Sequence, residues 1–438
     1  MKRRIFVLSA AAALLAWHVL LPRPVFGQGN TWAGASLAKI VEAARWRLGA
    51  LRVNAALALT NAGYDSDIYF GYLDEAVPDY TFTAGVPIQV FLPLSKKVVL
   101  EVFDSPEYLF YLGTMKERAW NNIFWGQVHF AFDRLYIQAG GGLSNIRQRL
   151  SPELNINTRE KEDSLNGTIL WQVSRVISLG LLYGGSQFDY GDAEFGGTSI
   201  ADTLNRKESY FDFVAYLQPS FRVRLFIDGQ YGAYTFTEAV SSFKDTRSYG
   251  VFGGLAFVPK EGEARPVEPV QGSISLGYKL FDILDPLLTD GSGFVGAVDV
   301  SAGLFKKTTG RAFILRDFAF SAYSSGTFYL STNYGGGVSR QLSRRAIFSY
   351  DLLFSRSAYP QQDSGSGIPA SQSSRYTTHR FSLSLRLARN LAITFLGTLS
   401  KRVLDDSGLS RNRNFYGLNI VYGFVAGAIS APARGLSR

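Results

Sequence analysis

The chain has 438 residues, with 45 Lys and Arg against 36 Asp and Glu for a formal charge of +9, three His and no Cys. The lack of cysteine excludes disulfides and thiolate metal sites, and so mild a positive balance gives no argument for a nucleic-acid partner. With 44 Gly, 23 Tyr and 33 Phe, the texture is rich in small and aromatic residues and poor in the helical stretches of an ordinary aqueous domain.

Residues 1–27 start M-K-R-R, run apolar from Ile5 to Leu21 and reach a V-F-G step, which is expected to be a secretory signal peptide. Its removal takes Lys2, Arg3, Arg4 and Arg23 with no acid, leaving +5. An uncleaved anchor helix is the alternative, because the apolar run is nearly long enough to cross a bilayer. The segment 28–47 is expected in the periplasm. It holds one helical candidate, S-L-A-K-I-V-E-A-A at 36–44, with Leu37, Ile40, Val41 and Ala44 on one face.

From 48 to 424 the chain repeats one unit, an alternating run followed by a turn. Phe82, Ala84, Val86, Ile88, Val90 and Leu92 alternate with Thr83, Gly85 and Gln89; Phe211, Phe213, Ala215 and Leu217 alternate with Asp212 and Gln218; Phe381, Leu383, Leu385 and Leu387 alternate with Arg380, Ser382, Ser384 and Arg386. Soluble sandwich strands also alternate, but they are shorter than the roughly 9–11 residues that a tilted transmembrane strand requires. Connections fall into two classes. Short ones lie at 95–97, 133–134, 174–177, 219–222, 343–345 and 388–390, and long ones at 150–162, 191–206, 284–293 and 358–375. Short turns at one end and long loops at the other predict an all-β, transmembrane, antiparallel up-and-down barrel of about 18 strands (roughly 16–18) in a bacterial outer membrane. The stretch A-F-I-L-R-D-F-A-F at 312–320 disturbs the alternation, by a bulge or by Arg316 reaching toward an interface.

The short turns carry Lys96, Lys97, Arg134, Arg175, Arg222, Arg344, Arg345 and Arg389, and the long loops carry Asp74, Glu75, Glu153, Asp192, Glu194, Asp202, Asp285, Asp290, Asp405 and Asp406. A basic periplasmic rim and an acidic outer rim follow. The acids would either hold divalent cations shared with lipopolysaccharide or simply keep the loops soluble. The closing run Tyr416, Leu418, Ile420, Tyr422 and Phe424 has the form of a lipid-facing strand that barrel-assembly machinery recognises, leaving 425–438 as a periplasmic tail.

Parity places Arg222, Arg224, Asp228, Lys279, Asp299, Asp351, Arg380, Arg386 and Arg402, with the aromatics Trp125 and Tyr216, toward the lumen. Glu101, Asp212, Tyr136, Tyr210 and Tyr234 share that parity. Mixed charges suit a water-filled channel or a wall bracing a plug, and interleaved Tyr and Arg also suit saccharides. Beyond the signal only His129 and His379 remain, on opposite faces. No H-E-x-x-H, phosphate loop or dinucleotide fingerprint occurs. D-P-L-L-T-D-G-S-G at 285–293 lacks the spacing and closing Glu of a calcium loop. No cofactor, metal or catalytic residue is expected.

The stretch R-W-R-L-G-A-L-R-V-N-A-A-L-A-L-T-N-A-G-Y-D-S-D-I-Y-F at 45–70 and the closing N-R-N-F-Y-G-L-N-I-V-Y-G-F at 412–424 resemble the group of putative type-2 beta-barrel porins, some of them associated with exopolysaccharide production. The resemblance implies outer-membrane lipid and lipopolysaccharide as surroundings, and a surface polysaccharide and periplasmic export components as partners. Three classes stay open: a porin-like conduit, a structural or adhesive barrel with a filled lumen, and a lipid-modifying hydrolase built on His129.

Overall fold

A strand with one apolar and one polar face can cross lipid only if both of its edges are paired, which forces closure. The computed structural model describes residues 37–38, 41–42, 44–70, 75–149, 156–191, 193–195, 197–220, 222–257, 270–322, 327–359, 373–405 and 408–423. The proposed signal peptide, Phe424 and the tail lie outside them.

In chain order the strands are β1 (Trp46–Leu48), β2 (Leu51–Asp65), β3 (Asp79–Gly85), β4 (Ile88–Pro93), β5 (Val98–Asp104), β6 (Glu107–Tyr111), β7 (Ala119–Ala131), β8 (Leu135–Gln148), β9 (Thr158–Gln172) and β10 (Ile177–Tyr190). A small hairpin of β11 (Glu194–Phe195) and β12 (Thr198–Ser199) precedes a short helix, Ile200–Leu204. The wall resumes with β13 (Arg206–Ser220), β14 (Val223–Phe236), β15 (Thr246–Phe257), β16 (Gln271–Ile283), β17 (Gly291–Phe305), β18 (Thr308–Phe320), β19 (Phe328–Gln341), β20 (Ala346–Ala358), β21 (Ser374–Ala388), β22 (Leu391–Leu404) and β23 (Ser410–Gly423).

β1 is a spur on β2. β3 with β4, and β5 with β6, are each one span of the wall, interrupted near Pro87 and Pro106, where no backbone N–H is available to the ladder. The result is a closed antiparallel barrel of 18 spans, sealed where β2 pairs β23 with Leu57 opposite Tyr422 and Tyr64 opposite Tyr416. Each span otherwise pairs its neighbours in sequence, giving an up-and-down wall.

Register assigns the two faces, because directly opposed residues point the same way. The series Glu101, Gln127, Gly140, Asn166, Gly184, Tyr210, Gly232 and Ser248 is opposed pair by pair from β5 to β15, and it includes buried polar side chains; this is the inner face. The outer face carries Phe381 and Phe395 on β21 and β22, both exposed, with Leu383, Leu385 and Ile393 of the same parity. That face is the lipid-facing belt.

Both described ends of the wall lie at the side of the short connections 94–97, 132–134, 342–345 and 389–390, so that side is periplasmic. Two sequence expectations need adjusting. The predicted loop 150–162 ends earlier, because β9 begins at Thr158 with an all-polar alternation of Glu160 and Glu162 inside against Arg159, Lys161 and Asp163 outside, which apolar periodicity cannot mark. The stretch 312–320 has no bulge: β18 pairs β19 without a break from Thr308 opposite Arg340 to Phe320 opposite Phe328, and Arg316 is exposed on the outer face.

Candidate functional site

The lumen is narrowed at the outer mouth by two inward-folded elements, and the periplasmic end carries part of the N-terminal segment. The first comprises residues 66–70 and 75–78, and takes in the S-D-I-Y-F part of the Y-D-S-D-I-Y-F stretch at 64–70. Asp67 is 1% exposed; its Oδ1 accepts the backbone N–H of Phe70 at 3.1 Å and its Oδ2 accepts Arg411 Nε at 2.6 Å. Asp65 pairs with Arg413 on β23. Phe70 holds φ at 52°, in the left-handed region that costs a bulky residue about 1–3 kcal/mol. Its surroundings impose this: the ring meets Tyr376 at 6.0 Å, Arg149 lies 5.4 Å over it, and Arg402 Nη1 donates to its carbonyl at 3.4 Å. Tyr69 donates to Glu117 Oε1 at 3.0 Å, and burial, followed by that carboxylate, pushes the phenol above its usual range. Burial, with Arg413 and Arg402 adding like charge, pulls the Arg149 guanidinium down.

The second element is the outer end of the β18–β19 hairpin. β17 pairs β18 only up to Gly296 opposite Arg316; beyond that, Gly291–Val295 stay on β16 while the hairpin leaves the wall. Its outer-parity residues Phe318, Phe320 and Phe328 then pack against the inner-face residues Tyr234, Phe236, Phe281, Ile283 and Val295, forming one buried aromatic cluster. Phe281 stacks on Phe318 at 5.4 Å and lies edge-on to Phe328 at 5.2 Å. Gly291 permits this approach, since a Cβ there would stand 2.5 Å from the Phe328 ring. Past the cluster the hairpin reaches β13, five strands along the wall: Arg206 sits 5.4 Å over the Phe320 ring, and Ala322 packs with Phe188, Tyr190, Ile200 and Leu204. Lys244, fully buried, closes the latch by donating to the carbonyls of Ser321 at 3.0 Å and Thr203 at 3.4 Å.

At the periplasmic end, Leu37 and Val41 pack on the inner-face residue Phe91, with Val99 beside them, and the Arg45 N–H donates to Asn54 Oδ1 at 3.0 Å. The described part of the 28–47 segment thus lies against the inner wall. Beneath it runs a polar chain in which Glu101 accepts from Gln89 at 2.7 Å, Gln127 at 2.6 Å and the His129 ring at 2.9 Å. The other His129 nitrogen meets Tyr136 at 2.7 Å. Both ring nitrogens are engaged without a serine, so the triad logic a hydrolase needs is missing at His129.

The remaining candidate residues are spread along the inner wall. Arg224 donates to Gln218 at 3.2 Å and lies 5.5 Å over Tyr216, Asp228 accepts from Gln230 at 2.7 Å, and Arg222 is in the adjoining turn. Lys279, 1% exposed, reaches Asp317 at 2.9 Å. Asp299 takes a two-pronged pair from Arg311 at 2.7 and 2.6 Å. Asp351 opposes Arg380, Arg386 opposes Ala392 near the short-turn end, Arg402 lies 5.0 Å over Tyr376, and Trp125 stacks on Phe103 at 5.4 Å. On β23, Tyr416 and Tyr422 are exposed on the outer face with Leu418 and Ile420, while Asn419 is buried on the inner one.

These charges are not mixed evenly. On β9–β14 the inner-face acids Glu160, Glu162, Glu208, Asp212 and Asp228 outnumber the arginines Arg206 and Arg224, while on β18–β23 the inner-face arginines Arg311, Arg380, Arg386, Arg402, Arg411 and Arg413 outnumber the acids Asp317 and Asp351. Sequence reading missed the loop latch, Arg206, Lys244 and the aromatic cluster. The aromatic cluster alone had a signal, the disturbed alternation at 312–320 where Arg316 shares the parity of Phe318; Lys244 had none. Among the described residues no group of three acids or histidines is arranged to hold a metal.

No family model matches the chain, and no curated protein matches it in sequence. Among solved structures it is similar to a BenF-like porin from Pseudomonas fluorescens Pf-5, with a TM-score of 0.51 and 9% identity over 86% of this chain and 99% of that one. It also matches the outer membrane protein OpdK from Pseudomonas aeruginosa at a TM-score of 0.48 and 9% identity, covering 85% and 98% of the two chains. A match to the siderophore receptor PirA from Pseudomonas aeruginosa has a TM-score of 0.42 and 11% identity, covering 87% and 81%. The likeness to the BenF-like porin is one of fold: with its closed 18-span wall and apolar outer belt, this chain is a β barrel of the bacterial outer membrane.

Proposed function

We propose that the barrel is a non-enzymatic outer-membrane conduit for small polar solutes. The carrying observation is the uneven inner-face charge, acids in excess on β9–β14 and arginines in excess on β18–β23. In a narrowed, low-dielectric lumen such a field orients dipolar or zwitterionic solutes and disfavours apolar ones. Reconstituted in a planar bilayer, the purified protein opens discrete conductance steps. Persistent silence would move the assignment to an occluded structural or adhesive barrel.

A second reading keeps a saccharide as the solute, as the exopolysaccharide resemblance implies. It is favoured by the inner-face pairs Tyr216–Arg224 and Tyr376–Arg402, whose rings and guanidiniums suit sugar faces and hydroxyls. Against a polymer stands the hairpin latched across the mouth. Adding oligosaccharide to the same bilayer decides between them: blockade of the steps supports sugar passage, and unaltered current removes it.

A further inference from the structure

The outer face carries a row of four cations with one acid partner among the described residues. Register aligns Arg316 with Thr332, Thr332 with Arg356, and Arg356 with Arg375, so one line across β18–β21 holds three arginines. Lys401 stands beside it, opposite Thr377, the next outer residue of β21. All four cations are exposed. Arg356 directly opposes Arg375, a like-charge pair that costs stability when left alone. Of the outer-face cations elsewhere, Lys161 opposes Asp189 and Arg247 opposes Asp282, Lys207 opposes Gln187 and Thr235, and Arg147 opposes Arg159 with Glu117 bound to Arg147. In this row the acid partner among the described residues is Asp405, bound to Arg375; Arg316 is held by the Phe294 carbonyl and the Thr332 hydroxyl.

The height of the row fixes its surroundings. Immediately on the periplasmic side lies the stacked pair Tyr334–Phe354, with centroids 5.2 Å apart, and then the apolar belt of Phe381, Leu383, Leu385 and Leu387. Aromatic side chains sit at the headgroup level of a barrel, so the arginines face the outer-leaflet headgroups rather than acyl chains. With adjacent strands ~4.8 Å apart, the row spans roughly 14 Å, wide enough for more than one anionic group.

We propose that Arg316, Arg356, Arg375 and Lys401 form a docking surface for the phosphorylated headgroup of an outer-leaflet glycolipid. Guanidiniums pair phosphate oxygens two at a time, and an anion placed between Arg356 and Arg375 turns their repulsion into attraction to a shared partner. The inference rests on the outer-membrane placement and is independent of whether the lumen conducts.

The test uses the purified full-length protein in detergent, with binding followed by native mass spectrometry. The probes are bisphosphorylated lipid A, dephosphorylated lipid A and inorganic phosphate. Wild type retains bisphosphorylated lipid A, and Arg356→Gln/Arg375→Gln weakens that binding tenfold or more, whereas Arg356→Lys/Arg375→Lys keeps it within a few fold. Dephosphorylated lipid A binds all three proteins weakly and alike. Equal lipid A binding by wild type and the Gln pair would overturn the proposal, as would equal loss in the Lys pair. Displacement of lipid A by millimolar inorganic phosphate would mark a free-anion site and overturn the lipid assignment. Conductance of the Gln pair matches wild type because the row lies outside the lumen; a silent wild type would defeat the conduit reading while leaving this one to the binding data.

Discussion

Asp67 shows how one carboxylate organises the mouth. It is nearly fully buried, accepts the Phe70 N–H and holds Arg411, so it helps fix a bend in which Phe70 keeps a costly left-handed conformation. Breaking a buried pair from one side strands the other charge, at a cost of ~3–5 kcal/mol. Asp67→Asn keeps the shape but removes the charge. It is expected to destabilise the barrel by about 3 kcal/mol, measured by urea unfolding in detergent. It should also make residues 66–70 sensitive to protease, whereas an unchanged midpoint and unchanged cleavage would show that the bend stands without the pair.

At the scale of elements, the strands were legible and the departures from the wall were not. Phe381, Leu383, Leu385 and Leu387 announce β21, because a lipid-facing side must be apolar at every second residue. Lys279, Asp299 and Arg402 stand opposite Gly293, Ser273 and Tyr376 in the ladder. The hairpin bend left only the disturbed alternation at 312–320, for a physical reason: once β18 leaves β17, the face that register calls outer meets the inner wall, and Phe318 obeys the packing rule of a core, not of a lipid belt. The latch is equally remote from sequence, because Lys244 binds two backbone carbonyls, which any residue supplies. Removing the buried ammonium as Lys244→Met takes a donor away from the Ser321 and Thr203 carbonyls and loosens the hairpin at Ser321. Single-channel recording is expected to find larger and more frequently fluctuating steps in the variant. Steps identical to wild type would mean that the aromatic cluster alone holds the hairpin.

For the whole molecule, the wall is a device for separating charge. Each strand contributes its inner residues at a fixed spacing, so acids on β9–β14 and arginines on β18–β23 end on opposite arcs of one ring although they are far apart in sequence. Local ion pairs reduce this separation without removing it: Asp299–Arg311, Asp67–Arg411 and Asp65–Arg413 offset three of the arginines and Arg206–Glu208 one of the acids. Neutralising one arc should therefore shift selectivity without closing the conduit. In Glu162→Gln/Glu208→Gln/Asp212→Asn the arginine arc is left in excess, and the reversal potential in a potassium chloride gradient moves toward anions. The shift belongs to the field and not to altered packing only if salt erases it: the screening length falls from ~10 Å at 0.1 M to ~3 Å at 1 M, so the variant and wild type should converge at high salt. A shift that survives at 1 M would place its cause in pore shape, and none at 0.1 M would mean that the acids on β9 and β13 are too deeply paired to be felt by a passing ion.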